Sequence, residues 1–534
     1  MSGGAKRAFA MAQHNRLTAN WSAFPIAPNR ELRAQLRAVR NRSRNLGQND
    51  DYIKRYLSLR ENNIPGPNGF TFMVSLEPLS DDPSEEQQKH DAAIVKEIER
   101  AFEEWSHAEN ASASGKLSFV DQQRLLQRQM DRDGEALIRR IIGANNPFRY
   151  TLKFIDVAWL DEFYNGVNPN TGNRIIMSVE VDDDDRPVGY WLTMPAAEYL
   201  YASTRFSRER HRQFVPAGEM VHAFVCKDDE SQARGYPETH TAGMTLKVLD
   251  EAFFAELVNA HIAACNLPYL IPPKGEEEQL PDPNDLEAQG PEKIKRPVEQ
   301  DVQPGVQQIL PPGWDVKTFM PEHPNPNFPE FAKAQLRRAA AGLEMAYASL
   351  ANDLEGANYS SLKSGRTEEQ STYRSRQTWM REHFNRVVGW EFLRVAIMAG
   401  RVNVSLQDFN RVRLDWRGRG WPSIEPLKEI QATILAINNF LDTPIDDAAE
   451  RGEDWLDMVE KLKKVRRVLE DAGFEWPVIP GGTPAASSAA SSAQDEETDS
   501  NGKPIDQGTN RVLPELQHHL LPPSLRRNGQ ASAR

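Results

Sequence analysis

The chain predicts an α+β fold that is mainly helical, and three observations predict it. From Phe328 to Arg401 apolar residues recur at helical spacing on either side of a polar stretch bounded by glycines. From Tyr150 to Val225 short runs rich in Val, Ile, Phe and Tyr alternate with Asn, Gly, Asp and Pro, the pattern of strands and turns. From Pro268 to Pro326 prolines recur too densely for a long helix. At 534 residues the chain has length for two to four domains of roughly 100–200 residues each. Its net charge of −13 argues against a simple nucleic-acid coat, which needs clustered cations.

Residues 1–30 read as an irregular arm, basic but without the apolar core of a signal peptide. Arg30 to Arg60 is strongly cationic, and its apolar residues form two helical faces, Leu32-Leu36-Val39 and Tyr52-Ile53-Tyr56-Leu57, with a break at Gly47. The expectation is a helix pair with a solvated cationic face; contact with DNA or with an acidic neighbour is the sharper alternative. A turn through Gly66 and Gly69 leads into a strand, Phe70–Leu76. Asp91–Trp105 reads as a helix, and Ser118–Ile142 as another, interrupted at Asp133-Gly134-Glu135. Those two carboxylates are a conceivable catalytic pair, but no His, Cys or metal-ligand cluster accompanies them.

Strands are predicted at Tyr150–Val157, Arg174–Val181, Val188–Met194 and Met220–Val225. Asp182-Asp183-Asp184-Asp185 reads as a solvated hairpin turn, since consecutive strand residues alternate sides and no calcium-loop spacing is present. Thr245–Cys265 is apolar almost all round and predicts a helix buried in a core or between subunits. The proline-rich segment is acidic in its first half; Val306–Leu310 and Gly313–Phe319 are candidate short strands. Asn327 and Pro329 signal the start of a helix carrying Phe331, Leu336, Ala339, Ala340, Leu343, Tyr347 and Leu350. A loop at Gly356–Gly365 follows, then a long helix from Thr367 to about Ala399. Further helices are expected from the Trp421–Ala432 stretch to Phe440, from Thr443 to Ala449 and from Leu456 to Ala472, before a disordered tail.

Cys226 and Cys265 stand far apart and fit reduced thiols without zinc spacing, so no metal and no cofactor is expected. No phosphate-binding glycine loop, zinc-helix motif or nucleophile elbow occurs in a fitting context, and no catalytic residue is assigned. No apolar run reaches the ~18 residues of a membrane span, and no membrane partner is expected.

Several stretches together resemble the lambda-type portal proteins of tailed bacteriophages. They are Phe102-Glu103 with Trp105, then Gly115, Phe119, Gln123 and Leu125, then Asp133-Gly134-Glu135-Ala136-Leu137. Arg234-Gly235, Arg337 to Leu343, Asn358-Tyr359-Ser360-Ser361 and the Arg366–Arg376 segment add to these. The most specific match is Trp421 to Ala432 followed by Thr443 and Ala449 to Trp455, in which Glu425 stands where the family has aspartate. Tyr236 to His240 departs from the family as a small insertion.

The resemblance covers about Leu32 to Ala472 and implies a portal fold with a β-rich wing, helical stem, clip and helical crown. It divides the chain into an arm (1–30), wing (31–239), first stem helix (240–267), clip (268–326), second stem helix (327–354), tunnel loop (355–366), long wing helix and return (367–420), crown (421–476) and tail (477–534). Implied is a ring, usually dodecameric, at one capsid vertex of the virion, assembled in the host cytoplasm. Double-stranded DNA passes through it, and the terminase large subunit, major capsid protein and head–tail connector proteins dock on it. Asn358, Tyr359, Ser360, Ser361, Lys363 and Arg366 are then the residues expected to meet DNA, Lys363 and Arg366 as its cations. A structural head protein without a channel, or a DNA-processing enzyme, are the alternatives.

Overall fold

The structure, a computed structural model, describes residues 27–79, 84–193, 212–265, 268–271, 315–318, 326–355, 359–421, 426–450 and 455–471, with single positions 16, 19 and 473. Most of the arm, residues 272–314 (with Val306–Leu310) and 319–325 of the proline-rich segment, Asn358, Glu425 and the tail lie outside the described residues. Met1–Glu460 form one compact unit and Lys461–Arg534 a second.

Helix α1 (Pro28–Asn49) opens on a proline whose fixed φ suits the first turn. It ends at Asp50, which caps α2 (Asp51–Asn63) by accepting a 2.8 Å hydrogen bond from Ile53 N. The expected break at Gly47 is absent; Gly47 is buried inside α1, where a Cβ would lie 3.2 Å from Leu57. Strand β1 (Thr71–Leu76), helix α3 (Glu85–Ser106) and the single turn α4 (Ala108–Ala111) follow. Helix α5 (Phe119–Asp133) starts on a Ser118–Asp121 capping box. It does not run to Ile142 as the sequence suggests. Gly134 takes φ +86° and stops it, and the apolar, isoleucine-rich run after it becomes strand β2 (Glu135–Ile142).

Strands β3 (Tyr150–Ile155), β4 (Gly166–Val167), β5 (Arg174–Ile176), β6 (Val179–Val181), β7 (Pro187–Thr193), β8 (Arg212–Pro216) and β9 (Met220–Phe224) form two sheets, ordered β3-β2-β9 and β4-β5-β6-β7-β8. The strand expected over Arg174–Val181 is a hairpin, because Met177 and Ser178 both adopt positive φ and fold it back. Asp182 closes the next turn, its Oδ1 accepting from the amides of Asp184 (3.0 Å) and Arg186 (2.8 Å). Glu180 is buried and has no cationic partner among the described residues; Asn168, Thr171, Asn173 and Trp191 donate to it at 2.7–3.1 Å and hold its carboxyl below the usual range against the opposing effect of burial.

Helix α6 (Gly243–Cys265) leads to β10 (Pro268–Ile271), antiparallel to β11 (Asp315–Thr318). Helix α7 (Phe328–Gly342) does not continue through Leu350. Glu344 turns at φ +54°, Met345 N donates to Ala340 O (3.0 Å) and Glu344 N to Ala341 O (3.3 Å), a Schellman stop without a glycine at the left-handed position. Helix α8 (Tyr347–Ala351) resumes after it. Then come α9 (Tyr359–Met380), a π turn at Arg381–Asn385, α10 (Arg386–Met398), α11 (Leu406–Arg411), β12 (Val412–Arg417), α12 (Pro426–Asn438), α13 (Pro444–Glu450) and α14 (Trp455–Asp471). Among the described residues no helix is long and apolar enough to cross a membrane.

The main core lies where α3, α5 and α10 meet the β1–β12 pair. Phe102 touches Phe72, Trp105, Phe119, Phe392 and Trp416 at ring-centroid distances of 4.1–5.6 Å. A second core joins α2, α6, α7 and α8, and a third fills the space between the two larger sheets.

The turn between α5 and β2 gives a paired test. A Cβ at Gly134 would lie 2.0 Å from the backbone of Tyr236, whereas Gly143, at φ +80°, has nothing within 4 Å. Gly134→Ala should therefore lower unfolding stability by on the order of 3 kcal/mol, and Gly143→Ala by only about 1 kcal/mol. Denaturant titration of the two variants reads the difference.

Candidate functional site

The polar segment between the two helices is mostly helical, not a loop. Helix α9 begins at Tyr359, so Tyr359, Ser360, Ser361, Lys363 and Arg366 all stand on its first two turns. No proline obstructs the helix there, and Gly365 has room on its Cβ side, where Ala346 lies 3.6 Å away. Ser361, Lys363 and Arg366 line a cleft of about 740 Å³ with Arg55 of α2, Ser349 and Asn352 of α8, and Trp421. Ser360 is exposed and is not part of the lining. Lys363 is half-buried, while Arg366 is exposed and has no ion pair among the described residues.

Residues the sequence did not single out fix this cleft. Glu369 is buried and accepts 2.7 Å from Ser349 Oγ and a short bond from Tyr373 OH. Burial and that carboxylate raise the Tyr373 phenol well above its ordinary value, which keeps it a donor. Arg55 Nε donates to Ser349 O (2.6 Å) and its Nη2 to Asn352 Oδ1 (3.0 Å). Gln377 Nε2 donates to Ile64 O (2.9 Å) and Arg419 O (3.1 Å). The i,i+4 pair Glu369–Tyr373 was the signal available in the sequence.

The basic run of α1 and α2 divides: Arg33, Arg42 and Lys54 are exposed, as a solvated cationic face requires, while Arg40 and Arg60 are buried and Arg37 and Arg44 are paired with acids of the fold. Arg37 pairs with Glu162 at 2.9 Å, Arg44 with Asp133 (2.8 Å) and Asp156 (2.7 Å), and Arg60 with Asp131 (3.1 Å). Arg40 is buried between Glu162 and Glu135. Glu135 also takes Arg234 Nη2 at 2.5 Å, His222 Nε2 at 2.9 Å and the Gly235 amide at 3.2 Å. The rest of the Arg234 guanidinium donates to the carbonyls of Val157, Leu160 and Met177. Burial alone raises a carboxyl, but the Arg234 charge and the His222 bond outweigh it and hold Glu135 far below the usual range. Burial lowers His222, outweighing the same carboxylate. Asp133 and Glu135 are thus structural anions rather than a catalytic pair. Among the described residues no group of His, Cys, Asp and Glu could hold a metal ion.

Residues 14–377 match the family described as phage portal protein, lambda family. The probable portal protein of Halomonas phage phiHAP-1 is 28% identical over 482 residues, 88% of each chain. Portal protein B of Escherichia phage lambda is 25% identical over 178 residues, 32% of this chain and 33% of that one. Among solved structures, the neck of an empty GTA particle computed with C6 symmetry aligns at TM-score 0.42 and 13% identity, covering 82% of this chain and 97% of that one. With a family match over more than half its length, the chain belongs to the phage portal proteins, in their lambda family. It is a portal protein, a subunit of the ring at a capsid vertex, and the names of its relatives are those of structural proteins.

The ion network predicts acid lability with a defined sign. Glu135 sits below its unfolded value of about 4.3 and His222 below about 6.5, so both contribute stability above those values and lose it as pH falls. The melting temperature should decline as pH falls from 7, first through the His222 contribution and below about pH 4.3 through that of Glu135, and His222→Gln should flatten the upper part of that decline. Arg234→Met, which strands a buried carboxylate, should cost about 3–5 kcal/mol at pH 7.

Proposed function

We propose that copies of this chain close into a dodecameric ring whose channel carries double-stranded DNA into and out of the virion. The observation that supports it is α6. Leu246 and Leu249 on this helix are buried, yet Phe254 is 68% exposed and Leu257 67% exposed, with Met244 and Val248 also open. A helix apolar all round needs cover on both sides, and a neighbouring subunit supplies the second. In this reading α6 and α7 are the stem wall, residues 268–326 the clip that receives the terminase large subunit and later the head–tail connectors, residues 31–239 and 367–420 the wing toward the major capsid protein, and 421–476 the crown. Residues 355–366 face the channel axis, with Asn358, Tyr359, Ser360 and Ser361 near phosphate and Lys363 and Arg366 as its cations. Assembly takes place in the host cytoplasm.

Negative-stain micrographs of purified protein should show rings with an axial hole; particles without one would refute the proposal. Phe254→Glu with Leu257→Glu should shift the protein to monomers on size exclusion while its helical circular dichroism is kept. Lys363→Ala with Arg366→Ala should leave rings intact and lower DNA packaging; unchanged packaging removes these two residues from the channel.

A further inference from the structure

A second cleft, of about 350 Å³, runs along the first half of α1. One wall is a single face of that helix, with Pro28 at its start and Leu32, Gln35, Leu36 and Val39 along it. Asp228, Tyr236 and His240 form the other wall. Leu36 is buried, but Leu32 and Val39 are only half covered. Glu31 and Asp228 line the cleft and have no ion pair among the described residues. At 100° per residue Arg30, Arg33, Arg37, Arg40 and Arg44 fall on the opposite side of α1, and Arg42 lies a turn beyond Val39, outside the lining. Lys227 lies over the Tyr236 ring, 5.0 Å from its centroid, and is paired with Glu238. Burial, and after it the charges of Asp228, Glu238 and Glu31, push the Tyr236 phenol up, as a negative local field requires.

We infer that this cleft takes a segment of the chain's own N-terminal arm, Trp21–Ile26, laid back along α1. The root of the arm, its length and its composition carry the inference. Pro28 stands on the rim, so the arm leaves the helix at the cleft itself, and Ala27 is extended at φ −62° and ψ 136°. Asn29 holds that root against the far wall: its Nδ2 donates to Ser231 O (2.6 Å) and its Oδ1 accepts from Ala233 N (2.9 Å). From Pro28 to Val39 the helix rises roughly 16 Å at 1.5 Å per residue, and the six residues Trp21–Ile26 span about 20 Å when extended. Residues 1–27 contain no acid and carry Lys6, Arg7 and Arg16, so nothing in the arm is repelled by Glu31 and Asp228. Trp21, Phe24 and Ile26 bring bulky apolar side chains to Leu32 and Val39. Arg16 and Ala19 are exposed, so the docked stretch is assigned after them. A tether of a few residues keeps this occupant at high effective concentration, an advantage over any unlinked ligand. The inference does not rest on the portal reading.

Cross-linking and proteolysis of the full-length protein test it. In a Cys226→Ser/Cys265→Ser background, Phe24→Cys with Gln35→Cys should form a disulfide within one chain on mild oxidation, read by mass spectrometry of the linked peptides. Absence of that link overturns the inference and leaves the cleft to a ligand from outside the chain. Co-expression of one chain carrying only Phe24→Cys with another carrying only Gln35→Cys should give no linked dimer. A linked dimer means that a second copy's arm fills the cleft, which also overturns it. Chymotrypsin should cut after Trp21 at least about tenfold more slowly in wild type than in Leu32→Ser/Val39→Ser, because cleavage tracks the population of the undocked arm. Equal rates, with the circular dichroism of the variant unchanged, overturn the inference; should that variant lose helix, the cross-link decides alone.

Discussion

The structure depends on a cluster of charges taken out of water. Arg40, Arg60 and Arg234 are each 2% exposed or less, as are Asp131, Glu135 and Glu162 opposite them. Removing a single ion from water costs several kcal/mol, and only a partner in good geometry offsets it. That requirement fixes α1 against the Glu162 turn, α2 against α5, and β2 against the Arg234 segment at one register, because a slip would leave a charge unmatched. Two glycines let the backbones come close enough. A Cβ at Gly235 would lie 2.2 Å from Gly134 O, and one at Gly134 would strike Tyr236. Two motifs about a hundred residues apart in sequence, Asp133-Gly134-Glu135 and Arg234-Gly235, are therefore one interaction in the fold.

On this platform the helix from Tyr359 to Met398 has to serve two partners. Glu369, Tyr373 and Gln377 face α8, the end of α2 and the Arg419 turn, while Phe384, Val388 and Phe392 enter the aromatic core. The π turn at Arg381–Asn385 inserts one extra residue between those two stretches and so resets which face points inward. Asn385 shows the result. Its Oδ1 accepts from Gln123 Nε2 at 3.0 Å, and Gln123 Oε1 in turn accepts from Phe70 N at 3.0 Å, a polar thread through the main core from the π turn to the start of β1.

The helices with strong apolar periodicity were legible in the sequence to within a few residues, since period and caps such as Ser118 and Thr443 are local. What escaped was decided by contacts distant in the chain or by single backbone angles. The end of α5 depended on Gly134 taking a positive φ, and the hairpin inside Arg174–Val181 on Met177 and Ser178, which carry no turn signature. The Schellman stop at Glu344 lacks the glycine that would have announced it. At the candidate site the cations Lys363 and Arg366 were visible as residue types, but their helical setting was not: Gly356 and Gly365 read as punctuation, and Gly365 instead rides inside α9. Glu369 gave no warning, because a buried glutamate looks like a surface one until Ser349 and Tyr373 are brought to it.

The same distinction governs α6. Its sequence shows no preferred face, and periodicity cannot say how much of an all-apolar helix its own chain will cover. The fold answers with half: Leu246 and Leu249 join the core built by α2, α7 and α8, while Phe254 and Leu257 remain in water. At about 25 cal/mol per Å², side chains of that size gain about 1.5–3 kcal/mol each on burial, so leaving the second face bare forgoes a sizeable share of a domain's net stability. Association that covers this second face would add to the stability that each subunit has on its own.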